Sequence, residues 1–501
     1  MTTYVFFVGG TGARVLRSFI MLLASGVEIG ANNKIVPIII DYDMQNGDLK
    51  EAKDLLSLYN RLHKTAAYAS GEKGFFNASV EMRDYSMVNI KGDGDRDTFS
   101  KYIMYSFLKN DKLLSSSAAL INVLYDDSPQ DSPSTELNLE MSVGFKGNPN
   151  IGSVIFNDYF NDKSYGFQDF VSEFSDGSRA FIVGSIFGGT GSSALPQLVK
   201  KFRQEGEAGS GNSTALQNAP VGACIVLPYF SVNKDAKSAI SSDTFNSKAK
   251  AALTYYAGEI NSKLNEIYYI GCAGAGQPYA NHEGGEAQKN YAHLVELLSA
   301  MSIVEFINRE DRDIPNKNLD GKPECYEYRV QHGLLNKNGK DELKPISYLD
   351  ILGLKNDDDK SVYNRYVRHL NAFAYFVKYC LDFTFSGKDS GMFGQGYYKA
   401  LGKYITGGQF GPELKDFEEH FVRWASEMAA NTQLRFDPYD FSQELDYLVH
   451  KDENKARTKD VKDAIRLALA NGSKEYKSEP DSAGKVFLHI GSEAGMEAAD
   501  K

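Results

Sequence analysis

The chain has 501 residues, of which 42% are hydrophobic and 24% are charged, a composition that argues against a disordered protein. The net charge of -11 argues against a protein that binds nucleic acid through charge alone, so we do not expect nucleic acid as a partner. Four widely separated cysteines exclude a C-x-x-C metal site. The apolar run at residues 15–27 contains Arg17 and is too short for a membrane span, so we expect a cytoplasmic protein without one.

Strand and helix patterns alternate through residues 1–309. Short apolar runs at 4–8 and 35–40 are typical of parallel strands that are buried on both faces, and a helical pattern lies between them. Further runs of this kind occur at 179–184, 221–227 and 266–271. This alternation predicts an α/β fold with a doubly wound, mostly parallel sheet. A long helical pattern follows at 288–309.

The composition changes after residue 309. Residues 310–344 are polar with few apolar positions, which indicates a connector or an insertion. Residues 345–491 predict a largely helical C-terminal domain, in which 485–490 has the composition of one last strand. We expect residues 492–501 to form a frayed tail.

Two glycine-rich turns, at residues 9–12 and 188–191, each join a buried strand to a helix. A helix N-terminus carries free N–H groups and a partial positive charge, and glycine lets a phosphate approach them closely. A tight strand-to-helix turn also uses glycine for steric reasons alone, so both interpretations stay open. Neither turn is a Walker A motif, and the first does not complete G-x-G-x-x-G.

Five loops, in chain order, resemble the nucleotide-binding loops of the tubulin/FtsZ superfamily. The turn at 187–193, F-G-G-T-G-S-S, is similar to that family's signature G-G-G-T-G-[ST]-G. Residues 9–14 look like the family's first phosphate loop, and residues 43–45 look like the D-A-Q that follows its second strand. Residues 144–152 look like its third loop, G-x-G-A-N-P-x-x-G, and residues 228–230 look like the P-F of its fifth loop.

The resemblance implies a protein that binds GTP or GDP with Mg²⁺ in a tubulin/FtsZ-like domain spanning residues 1–309. Gly147 and Asn148 would close over the γ-phosphate, and Asp43 would orient a hydrated Mg²⁺, although an acid after a strand is also a common turn residue. The residues implied for the nucleotide are Gly9, Gly10, Thr11, Gly12, Ala13, Arg14, Asp43, Gln45, Gly147, Asn148, Gly188, Gly189, Thr190, Gly191, Ser192, Pro228, Asn290 and His293.

The helix at 288–309 corresponds, in this resemblance, to the family's central helix, whose N-terminal end reads the base. Asn290, His293 and Glu296 lie near one face of that helix and would then contact guanine. The alternative is that His293 is a structural residue and Glu296 a solvated one. Arg14 would neutralise phosphate charge, or it would lie along the helix surface with its charge in water.

Family members hydrolyse GTP with acids that the next subunit supplies from the loop after the central helix. Asp311 and Asp313 are the catalytic candidates, although their spacing departs from the family's N-x-D-x-x-D/E and a solvated charge cluster is the alternative. The resemblance therefore implies head-to-tail self-association into filaments, with slow or assembly-dependent GTP hydrolysis.

Two other functions remain open. One is a nucleotide-dependent switch or scaffold that does not polymerise and offers its helical C-terminal region to a protein partner. The other is an oxidoreductase that binds a dinucleotide at residues 9–12, with Asp41 or Asp43 on the ribose, which leaves the loops at 144 and 188 unexplained. The triphosphate hypothesis requires these distant turns to converge at the carboxyl edge of one sheet.

Overall fold

A computed structural model describes the ranges 1–30, 33–68, 72–89, 98–103, 123–125, 136–141, 144–161, 166–204, 211–235, 238, 240–272, 278–282, 284–310, 313–314, 323–330, 363–386, 402, 404–406, 408–431, 434–449, 461–472 and 480–500. Within them, eight strands form one sheet whose pairings are all parallel. The strands are β1 (Thr2–Val8), β2 (Lys34–Asp41), β3 (Ser79–Val80), β4 (Met87–Asn89), β5 (Arg179–Ser185), β6 (Val221–Val226), β7 (Glu266–Cys272) and β8 (Glu324–Val330).

The strand order is β3-β2-β1-β5-β6-β7-β8, with β4 also paired to β2. The chain builds outward from β1 to β2 and β3, and then returns to the other side of β1 to add β5. The order therefore reverses between β1 and β5, which is the position where ligands bind in open α/β sheets. This architecture confirms the predicted α/β class with a parallel central sheet.

Helices cover both faces of the sheet. Their bounds are α1 (Gly9–Ala24), α2 (Gly47–Ala66), α3 (Phe99–Ile103), α4 (Pro149–Asn161), α5 (Phe167–Glu173), α6 (Gly189–Gln204), α7 (Gly211–Asn218), α8 (Phe245–Glu259), α9 (Leu294–Asn308), α10 (Arg368–Tyr379), α11 (Phe410–Ala429), α12 (Val461–Gly472) and α13 (Pro480–Asp500). No described helix is both long and apolar enough to span a membrane.

Strand β1 shows why the sheet is buried on both faces. Val5 and Phe7 pack into a core with α1, α2, α9 and the C-terminal helices α10 to α13. Their neighbours Tyr4 and Phe6 point to the opposite face and pack into a second core with α3 to α8. The continuous apolar run in the sequence is the consequence, because both sets of side chains leave water.

The C-terminal helices share a core with α1, α2 and α9 on one face of the sheet. Helix α11 lies against α1, where the buried indole Nε1 of Trp424 donates a hydrogen bond of 3.1 Å to the Ser18 hydroxyl. Helices α10 and α13 approach very closely, since a Cβ on Gly495 would lie 2.4 Å from the carbonyl oxygen of Ala372.

Three predicted boundaries after residue 309 are wrong. The connector predicted at 310–344 contains β8, which completes the sheet by pairing with β7. The strand predicted at 485–490 and the frayed tail at 492–501 are instead parts of α13, which runs to Asp500 and crosses the predicted domain end at 491. Contact with α10 decides this outcome, because burial of the α13 face outweighs the local strand-like composition.

Candidate functional site

A cavity opens at the carboxyl ends of β1, β2, β5 and β6. It encloses about 920 Å³, counting the part that is open to solvent. Eleven of the residues predicted from the sequence line it, namely Gly9, Gly10, Thr11, Arg14, Asp43, Gly147, Gly188, Gly189, Thr190, Gly191 and Asn290. The other predicted nucleotide residues, which do not line it, are Gly12, Ala13, Gln45, Asn148, Ser192, Pro228 and His293.

The glycine turns meet inside this cavity. A Cβ on Gly9 would lie 3.2 Å from the Cβ of Thr190, so the starts of α1 and α6 touch. A Cβ on Gly189 would lie 3.1 Å from the backbone nitrogen of Gly147, which brings the third loop to the same point. Three turns that are distant in the sequence therefore converge at the carboxyl edge of the sheet, as the sequence analysis required.

The first turn contains glycines with two different roles. A Cβ on Gly12 would lie 2.6 Å from the carbonyl carbon of Phe7, so this glycine serves close packing. A Cβ on Gly10 would find only side-chain atoms of Arg14 and Asn46, both 3.7 Å away, so the backbone there is open to the cavity. Helix α1 also begins without a side-chain cap and without an acidic residue in its first turn. Its N–H groups therefore suit an anion.

The hydroxyl groups of the second turn also have two different roles, because two bond to the helix itself and one lies at the cavity. Ser192 Oγ donates to the Gly188 carbonyl at 2.5 Å, and Ser193 Oγ donates to the Gly189 carbonyl at 2.6 Å. Both hydroxyls thus bond back to their own helix. Thr190 lines the cavity and lies 3.4 Å from a carboxylate oxygen of Asp41. Like α1, helix α6 has no acid in its first turn.

Two acids follow β2 at the cavity. The Asp43 carboxylate accepts hydrogen bonds from the backbone nitrogens of Gln45 at 3.1 Å and Gly285 at 2.6 Å, so it holds two loops together. Asp41 accepts from the Asp43 backbone nitrogen at 3.2 Å, and burial raises the pKa of Asp41 to about 7. Asp41 lines the cavity together with Asp43, the acid that the sequence predicts to orient Mg²⁺. A nearby cation would favour the ionised form of Asp41.

Arg14 is buried rather than spread along the helix surface. Its guanidinium donates to Asp48 Oδ2 and to Glu296 Oε1, both at 2.7 Å, and to the Tyr229 hydroxyl at 3.0 Å. Burial disfavours its charge, but Tyr229, Asp48 and Glu296 outweigh that cost and raise the pKa of Arg14. The surface alternative is therefore wrong, and two carboxylates of the protein already match the charge of Arg14. Glu296 is likewise buried, not solvated.

Helix α9 begins at Leu294, so the prediction of a helix from residue 288 is wrong. His293 caps the helix by accepting the Val295 N–H at Nδ1 over 3.0 Å, while Glu296 accepts the His293 N–H over 3.0 Å. Burial lowers the pKa of His293 to about 3, so its ring is neutral. This is the structural role that the sequence analysis left open.

Hydrogen bonds from the start of α2 hold the segment that precedes α9 in an extended conformation. Asp48 accepts the Asn290 backbone N–H at 3.0 Å, and the Asn46 side-chain amide donates to Gln288 Oε1 at 2.7 Å. These bonds keep residues 288–290 extended along the cavity wall instead of in the helix. Asn290 therefore lines the cavity from an extended segment and not from a helix, and its contact with a base stays a prediction.

Sequence reasoning missed an aromatic wall. Phe187 lies 5.4 Å from Phe230 and 5.1 Å from Phe245, measured between ring centres, and all three line the cavity. Tyr279 extends the wall at 5.5 Å from Phe230. An apolar aromatic wall beside amide groups suits an aromatic ring. The available signal was that Phe187 and Phe230 lie two and four residues beyond the ends of β5 and β6, two strands that end at the cavity.

The predicted catalytic acids lie away from the cavity or outside the description. Asp311 lies outside the described residues. Asp313 is exposed in a short turn beyond α9. Since α9 has 15 residues and begins beside the cavity, its far end is about 21 Å away along its axis. Asp313 therefore does not act on a ligand in the cavity of its own chain.

Metal chemistry at the cavity would depend on the ligand. Among the described residues, no group of three or more His, Cys, Asp or Glu side chains is arranged to hold a metal ion. Mg²⁺ commonly keeps several waters and takes one or two carboxylates together with phosphate oxygens, and Asp41 and Asp43 fit that pattern. No protein-family model matches this chain, and no curated protein matches it.

Proposed function

We propose that this chain is a tubulin/FtsZ-like protein that binds a guanine nucleotide with Mg²⁺ in the cavity where α1 and α6 begin. One observation carries the proposal, namely the convergence of two helix N-termini and the third loop at the switch point of a parallel sheet. Such N-termini provide N–H groups and positive potential for phosphate.

The phosphates would lie against the open backbone. Gly10 offers its N–H from the first turn of α1, and Gly189 and Thr190 offer theirs from α6. Asp41 and Asp43 would hold the water shell of Mg²⁺, which supplies charge for phosphoryl transfer when it is bound. The fit follows from the open space at Gly10 and from the lack of acids in both first turns.

The base would lie at the other side of α1. Asn290 and Gln288 line the cavity and would offer their amide groups there, and the aromatic residue Phe230 lines it as well. Amides can both donate and accept hydrogen bonds, so they can match the N1–H and O6 of guanine. A dinucleotide-binding oxidoreductase would use the first turn alone, whereas here the third loop and the second turn share the cavity.

Head-to-tail assembly would explain the position of Asp313. In a polar filament, the end of α9 in one subunit would face the nucleotide of the next, where an acid could orient the attacking water. Hydrolysis would then depend on assembly. Sedimentation with GTP, GDP and a non-hydrolysable analogue tests this step, and an Asp313→Asn variant should form filaments that release phosphate more slowly.

A non-polymerising switch is the second candidate. Glu427 on α11 accepts the Ala292 backbone N–H at 2.9 Å and the Arg17 guanidinium at 2.6 Å. This carboxylate thereby joins the cavity-lining segment to a C-terminal helix. A nucleotide-dependent change in that segment would alter the C-terminal helices and the surface they offer to a partner protein. Such a switch would not need a filament.

The identity of the bound nucleotide tests the central proposal. Nucleotide released by denaturing the purified chain should elute as GTP or GDP, and the emptied protein should bind a fluorescent GTP analogue more tightly when Mg²⁺ is present. Competition by ATP should be weaker than competition by GTP. Release of NAD or FAD would instead support the oxidoreductase. Filaments seen by negative-stain microscopy would distinguish the assembling protein from the switch.

A further inference from the structure

Lys248 projects from the second turn of α8 toward the third loop. Its ammonium donates a hydrogen bond of 2.7 Å to the Gly147 carbonyl, and the side chain is more than half buried. In the described part of the chain, no carboxylate pairs with this ammonium. Burial lowers the pKa of Lys248, which is the expected response of an ammonium that has lost water without gaining an anion.

The position of this ammonium relative to the cavity follows from two contacts. A Cβ on Gly147 would lie 3.1 Å from Lys248 Nζ. The Gly147 backbone nitrogen would in turn lie 3.1 Å from a Cβ on Gly189, at the start of α6. The Lys248 ammonium and the α6 N-terminus therefore both lie beside Gly147, in a third loop whose Lys146 and Gly147 both have positive φ.

The two ends of the cavity differ in charge. At the α1 side, Asn46, Gln288 and Asn290 contribute neutral amides, and the charge of Arg14 is paired with Asp48 and Glu296. At the α6 side, Lys146 lines the cavity, and Lys248 lies next to the lining residue Gly147. A nucleoside triphosphate has a neutral base at one end and a terminal phosphate with the highest charge density at the other. The lysine end therefore suits the terminal phosphate.

We propose that Lys248 distinguishes a nucleoside triphosphate from a diphosphate by contacting the terminal phosphate beside Gly147. The inference rests on the proposed nucleotide site and adds a residue that no loop motif predicts. An ammonium has three donors, and the Gly147 carbonyl uses one of them. The remaining donors allow Lys248 to hold the third loop and the phosphate together, which would couple the state of the loop to the presence of that phosphate.

The test compares the Kd for GTP with the Kd for GDP, measured by calorimetry with Mg²⁺. Lys248→Met should weaken GTP binding by about 10- to 100-fold while GDP binding changes by less than about threefold. Lys248→Gln should behave like Lys248→Met, because it keeps a donor for Gly147 and lacks the charge. Lys250→Met is the matched control, since it removes an exposed charge from the same helix and should leave both Kd values unchanged.

Each outcome is decisive. Equal weakening of GTP and GDP in Lys248→Met, or full rescue by Lys248→Gln, would show a purely structural role in the third loop and overturn the inference while the nucleotide site stands. An unchanged ratio of the two Kd values would overturn it as well. A wild-type chain that binds neither nucleotide would overturn the proposed function, and this inference with it. Thermal unfolding of each variant confirms that it is folded.

Discussion

Replacing Gly10 by alanine should separate binding from folding. The new methyl group would meet only two side-chain nitrogens at 3.7 Å, which is ordinary contact distance, so the fold accepts it. Helix α1 should even gain up to about 1 kcal/mol, because alanine loses less backbone entropy than glycine. The same methyl group occupies the space through which a phosphate oxygen would reach the Gly10 N–H.

The expected loss follows from one charge-assisted hydrogen bond. Such a bond contributes about 1.5–3 kcal/mol, so GTP and GDP should both bind about 10- to 150-fold more weakly to Gly10→Ala. Gly12→Ala provides the contrast, because its Cβ would lie 2.6 Å from the Phe7 backbone. That variant should unfold more easily, by about 1–3 kcal/mol, since packed backbone must shift.

Urea unfolding of the nucleotide-free chain and titration with a fluorescent GTP analogue measure the two effects independently. Gly10→Ala should have an unfolding midpoint equal to or above that of the wild type, and it should lose affinity. A folded Gly10→Ala protein with wild-type affinity would refute the assignment of the α1 N-terminus to phosphate. If Gly10→Ala unfolds as readily as Gly12→Ala, the conclusion that there is room for a methyl group at Gly10 is wrong.

Three further predictions concern stability. Arg14→Met should destabilise the chain by about 3–5 kcal/mol, because it leaves two buried carboxylates without their cation. Gly495→Val should lower the melting temperature, since its side chain would meet the α10 backbone. Burial raises the pKa of Glu418 far above its usual 4.5. As the pH rises past 4.5, the unfolded state releases a proton from Glu418 that the folded state keeps. Stability should therefore fall with rising pH in the wild type, and Glu418→Met should be more stable at neutral pH by about 1–3 kcal/mol.

Urea or thermal unfolding checks all three, each with its own comparison. Arg83→Met removes two partly exposed ion pairs, to Glu81 and Glu173, and should cost less than about 1 kcal/mol. A similarly small cost for Arg14→Met would contradict the buried cluster. Glu497→Ala changes an exposed position of α13, and equal melting temperatures for it and Gly495→Val would mean that α13 is not docked. A Glu418→Met protein whose stability varies with pH as steeply as the wild type would exclude Glu418 as the source.

Local patterns predicted the parts of the fold that depend on neighbours in sequence. The apolar runs of β1 and β2 and the glycine turns before α1 and α6 each combine burial with a backbone requirement that few residues satisfy. The convergence of these turns also followed from the sequence, because parallel strands place their carboxyl ends at one edge. Whether those turns bind guanine nucleotide stays a prediction.

Long-range contacts account for what sequence reasoning missed. Arg14 is 34 positions from Asp48 and 282 positions from Glu296, and no local pattern links them. The start of α9 moved for the same reason, since Asp48 on α2 holds Asn290 out of the helix. Residues 485–490 of α13 were mistaken for a strand because their apolar residues are compatible with both a helical and a strand pattern. Only the packing of this segment against α10 distinguishes the two.

The contact between Trp424 and Ser18 gives the chain a built-in optical reporter. Trp424 is the single tryptophan, and its indole lies buried where α11 meets the helix that begins at the cavity. Its emission therefore signals from one known position, without labelling. A red shift on adding ligand would mean that water has reached this helix contact, and quenching by a fluorescent nucleotide would report how near the ligand sits.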